Sequence, residues 1–131
     1  ELGQYEQAES FFQRALAIYE RTMGPDHPKT ATTLDNLGVL YRELGQYEQA
    51  ESFFQRALAI NEKELGPEHR QTAITLNNLA ELYERQGQYE QAVPLLQRAL
   101  TFYEQKFGSM HPITVAIQEN YTNLLRKIVT T

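Results

Sequence analysis

Apolar residues recur along this chain at helical spacing rather than in alternation. Leu34, Leu37, Leu40, Tyr41 and Leu44 follow an i, i+3, i+4, i+7 pattern, and Ala50, Phe53, Phe54, Ala57, Leu58 and Ile60 do the same, so each set marks one apolar stripe on a helix. Between the stripes lies Gly45-Gln46, where a glycine in the left-handed conformation ends one helix and lets the chain reverse. So short a turn makes the two helices antiparallel neighbours. The second helix stops at Gly66-Pro67, and the same stop occurs at Gly24-Pro25. Pro28 and Pro112 sit where new helices begin, since a missing N–H costs little at the first position and the fixed φ suits it. Arg70 at the equivalent place shows that proline helps there without being required. The pattern predicts six helices: Tyr5 to Met23, Pro28 to Leu44, Tyr47 to Leu65, Arg70 to Gln86, Tyr89 to Phe107 and Pro112 to Val129.

The helix pairs repeat. Gly3, Gly45 and Gly87 are spaced by 42 residues, as are His27, His69 and His111, and Asn36, Asn78 and Asn120. Residues 1–18 recur letter for letter as residues 43–60, and the run GQYEQA returns from Gly87 to Ala92. Such periodicity means stacked units, each burying against its neighbour a face it cannot bury alone. The expected fold is all-α, a right-handed solenoid of antiparallel helix pairs forming one array over residues 1–131. Within it, 1–27 is a second-type helix and loop without its first helix, 28–69 and 70–111 are full repeats, and 112–131 is a C-terminal capping helix. Gly38, Ala50, Ala57, Ala80, Ala92 and Ala99 are small so that backbones approach closely. The last helix departs from the pattern with Gln118, Tyr121 and Thr122, as a polar cap does. The first has no polar cap, so the array reads as a fragment of a longer one. Phe11, Phe12 and Leu16 are expected to be partly uncovered, and could dock head to tail on the last helix of another copy.

The motif Leu34-x2-Leu37-Gly38-x2-Tyr41, followed by Ala50-x3-Phe54 and Ala57, resembles the tetratricopeptide repeat, with leucine in place of the usual tryptophan. The next unit repeats it as Leu76, Leu79, Ala80, Tyr83, Ala92, Leu96 and Ala99. The 42-residue period, the Gly-Pro-Asp-His-Pro loop and the run Leu76-Asn77-Asn78-Leu79-Ala80 resemble the repeats of kinesin light chain and bacterial relatives. HEAT and armadillo arrays share the period range, but the period alone does not produce these two constellations.

The resemblance implies that first helices line a concave groove that receives an extended protein or peptide segment. The matching face carries Asp35, Asn36, Val39 and Arg42, then Asn77, Asn78, Glu81 and Glu84, then Glu119, Asn120, Asn123 and Arg126. Asn36, Asn78 and Asn120 form a ladder of amides, each with a carbonyl and an NH2 suited to bidentate bonding with a peptide backbone. The same ladder equally serves to fix the stacking of one unit on the next. Thr32, Asp35, Ile74 and Asn77 stand where a carboxylate clamp needs lysine and arginine, which argues against that specificity.

Composition narrows the chemistry. Seventeen acidic residues against twelve basic ones give a net charge of -5, with no broad positive field for nucleic acid or anionic lipid. Cysteine is absent, which excludes disulfides and thiolate metal sites and allows a reducing compartment; the cytoplasm is favoured. No apolar run reaches the roughly 20 residues of a spanning helix, so no membrane partner is expected. His27, His69 and His111 lie one whole repeat apart, too far to share an ion, and read as extended loop residues. No phosphate-binding glycine loop and no nucleophile with its base occurs, so the expected protein is no enzyme and carries no cofactor.

Overall fold

The computed structural model describes residues 2–130; Glu1 and Thr131, the two ends of the expected array, lie outside the described residues. Six helices follow one another: α1 (Leu2–Thr22), α2 (Pro28–Glu43), α3 (Tyr47–Glu64), α4 (Arg70–Arg85), α5 (Tyr89–Phe107) and α6 (Pro112–Thr130). No strand occurs among the described residues. The last five helices begin at the residues the sequence predicts, whereas α1 begins at Leu2 rather than Tyr5.

The turns explain the agreement. After α2, Gly45 takes φ 78°, its N–H donates to the Arg42 carbonyl at 3.1 Å, and the Gln46 N–H donates to the Tyr41 carbonyl at 2.9 Å. Those paired bonds satisfy carbonyls at the helix end and require the left-handed conformation that glycine takes without strain. Gly87 repeats the arrangement at φ 77°. Gly3 lies inside α1 instead.

At the other end of the loops, the histidines are helix caps. Nδ1 of His27 accepts from the Lys29 N–H at 3.0 Å, Nδ1 of His69 from the Gln71 N–H at 3.0 Å, and Nδ1 of His111 from the Ile113 N–H at 3.1 Å. Each satisfies one of the donors that a helix start leaves without an intrahelical partner. Extended backbone at His27 and His69, with ψ of 144° and 149°, places the ring for this bond. His69 does so ahead of Arg70, so a following proline is not what fixes the conformation.

By packing, the chain falls into two compact units that divide between Pro67 and Glu68. In the first, α2 packs against both α1 and α3. Its centre is Leu34, Leu37, Ala50, Phe54 and Ala57, all fully buried. Each such large apolar side chain contributes about 1.5–3 kcal/mol on burial. Gly38 is small for a reason: a Cβ there would stand 2.5 Å from the Phe54 ring. In the second unit α5 packs against both α4 and α6 around Ala80, Ala92, Leu96, Leu100 and Leu124. Here Ala80 and Leu96 take the places of Gly38 and Phe54, one side chain growing as the other shrinks. Buried threonines, a repeated feature that the apolar pattern does not reveal, tie loops and helices together. Thr30 donates to the Gly24 carbonyl at 3.0 Å in the first unit, and Thr114 to the Tyr103 carbonyl at 3.2 Å in the second.

Candidate functional site

In the first unit the residues expected to line a groove part company. Asn36 is exposed, while Asp35 and Arg42 are buried at 7% and 6%. The Arg42 guanidinium lies over the Phe54 ring, 5.7 Å from its centroid, and Nε approaches the Glu43 carboxylate at 3.7 Å. Arg42 therefore acts inside the unit, covering an aromatic face with a weakly hydrated cation. Asn36 stands in a different setting, on the wall of a trough between α1 and α2.

That trough consists of two hollows of about 370 and 280 Å³ that share Phe12 and Asn36. From α1 come Tyr5, Ala8, Phe12, Ala15 and Tyr19, an apolar stripe at helical spacing. From α2 come Lys29, Thr32, Asn36, Val39 and Glu43, which give the second wall a polar rim. Phe11, on the same flank of α1, is 60% exposed, and a further hollow beside it is lined by Arg14 and Ile18. Leu16, expected to be uncovered with Phe11 and Phe12, is 8% exposed and lines neither hollow. Asn36 and the phenylalanines, which the sequence assigns to separate roles, thus belong to one surface.

α1 is held in place by its opposite flank. The Tyr41 hydroxyl donates to the Glu9 carboxylate, and Arg56 reaches from α3 to Glu20 at 2.6 Å. The Glu9 hydrogen bond, with burial and the nearby negative charge adding to it, raises the Tyr41 phenol above its ordinary value. Tyr41 also stacks on Phe53, with ring centroids 5.3 Å apart.

In the second unit, Asn77 and Asn78 of α4 are half-buried, and Glu81 accepts from Arg85 at 2.9 Å one turn on. On α6, Glu119, Asn120, Asn123 and Arg126 are all exposed, with Arg126 donating to the Asn123 carbonyl oxygen at 3.3 Å. Lys127 joins the two helices, its ammonium 3.5 Å from the Glu84 carboxylate and 5.7 Å from the Tyr89 ring centroid. Burial raises the Tyr103 phenol, partly offset by the charge of Arg70. Among the described residues no three His, Cys, Asp or Glu side chains gather as a metal ion requires, and no helix is long and apolar enough to cross a membrane.

These faces belong to a known class of repeat. No curated protein sequence matches the chain. Among solved structures, a protein described as a kinesin light chain with nearly identical TPR-like repeats, from Podosopora anserina, superposes with a TM-score of 0.87 at 26% identity. A point variant of that protein gives 0.86 at the same identity; in both, the match covers 95% of this chain and 59% of the other. BtubC (BKLC) from P. vanneervenii is similar in fold, with a TM-score of 0.83 at 24% identity over 93% of this chain and 48% of its own. The chain thus spans about half to three fifths of the length of these structures. The family profile described as tetratricopeptide repeat matches residues 1–63, 36–105 and 72–127. With matches that overlap from one end to the other, the chain belongs to the tetratricopeptide-repeat family, a helical solenoid with repeats of the kinesin-light-chain kind.

Proposed function

We propose that the chain is a non-catalytic protein-binding module that takes up an extended peptide segment on the exposed faces of its first-type helices. Tetratricopeptide repeats generally mediate protein–protein interaction. The observation that carries the finer reading is the asparagine that recurs once per repeat, exposed at Asn36 and Asn120 and half-buried at Asn78. Asparagine is a mediocre helix former, so its presence on these faces needs a reason beyond helix stability. An amide that offers a donor and an acceptor together pairs with a peptide unit regardless of side chains. Each such contact has a net worth of about 0.5–1.5 kcal/mol.

The test uses a displayed library of extended peptides selected on the immobilised chain. Peptides enriched on the intact chain should bind the Asn36→Ala, Asn78→Ala, Asn120→Ala triple variant at least about tenfold more weakly, a loss of 1.4 kcal/mol. Far-ultraviolet circular dichroism should be unchanged. Equal binding by the triple variant overturns the reading.

The trough in the first unit favours a second reading, association with protein through α1. Exposed Phe11 and half-buried Phe12 are aromatic side chains of the kind that dominate interface energetics. The self-associating form of this reading, one copy stacking on another, is tested by light scattering across concentration. A mass that rises with concentration, and stays monomeric in a Phe11→Ser variant, is its expected outcome.

A further inference from the structure

We draw no further inference here: the strongest candidate, the surface patch of exposed Phe107, Met110 and Ile113 where the loop after α5 meets the start of α6, is an unpartnered apolar face, and nothing in the structure shows what covers it.

Discussion

At the scale of single residues, fit is decided by pairs rather than by hydrophobicity. Gly38 and Phe54 are matched so closely that even one methyl group at residue 38 meets three ring atoms within 3.0 Å. Gly38→Ala gains about 1 kcal/mol of helix propensity, but overpacking of a wholly buried ring costs about 1–3 kcal/mol. The expected result is a lower urea midpoint at unchanged slope. Adding Phe54→Leu, which reproduces the Ala80 and Leu96 pair of the second unit, should recover most of the overpacking loss. A double-mutant cycle checks this, and additive effects of the two substitutions would show that the ring contact is not the cause. Arg42 makes a related point. An arginine on a first-type helix reads as a groove cation, yet its guanidinium lies over Phe54, because the planar group accepts an aromatic face that few other charged groups tolerate.

At the scale of helices, the starts of α2, α4 and α6 are capped by histidine. The three imidazoles at His27, His69 and His111 each accept from an N–H two residues on. His27→Ala should cost about 1 kcal/mol through loss of the cap, while His27→Asp should retain or improve stability, since a carboxylate both accepts the bond and suits the helix dipole. Urea unfolding of the two variants checks the order; if alanine is tolerated as well as aspartate, the ring nitrogen does not contribute. The sequence shows the histidine period but not this role. Histidine is not among the usual capping residues, and the only signal is its place immediately ahead of each helix. α5 continues unbroken through Pro94, where the residues on either side keep the helix going despite one missing donor.

For the molecule as a whole, two buried or hydrogen-bonded phenols give stability an alkaline limit. Tyr41 in the first unit and Tyr103 in the second both titrate above the ordinary value of about 10. A folded-state value above the unfolded one means the fold favours the neutral phenol. Their contribution is fully present below about pH 10 and is lost as pH rises through the folded values. The urea midpoint should therefore fall above about pH 10, and fall less steeply in the Tyr41→Phe, Tyr103→Phe double variant. A slope unchanged by the double substitution would locate the alkaline sensitivity elsewhere. The variant also loses the Tyr41 to Glu9 hydrogen bond, so its stability at neutral pH should be lower by about 0.5–1.5 kcal/mol.

The sequence by itself determined the helices, their order and the repeat family, because periodic apolar spacing and glycine-proline stops act locally. It located Asn36 and Asn120 on exposed faces for the same reason: helical spacing fixes which side a residue takes once the core stripe is known. What it left open is visible in the segment it contains twice. Leu44-Gly45-Gln46 forms a turn with Gly45 at φ 78°, while Leu2-Gly3-Gln4 is helix. Phe54 is fully buried, while Phe12 lines a trough and Phe11 stands 60% exposed where Phe53 is half-buried. From Leu2 to Ile18 the same run of residues thus has two outcomes. The tertiary structure decides between them, because burial and turn formation depend on which helix lies alongside: α2 offers α3 a whole apolar face and the carbonyls that close a turn, and α1 receives only one flank of it.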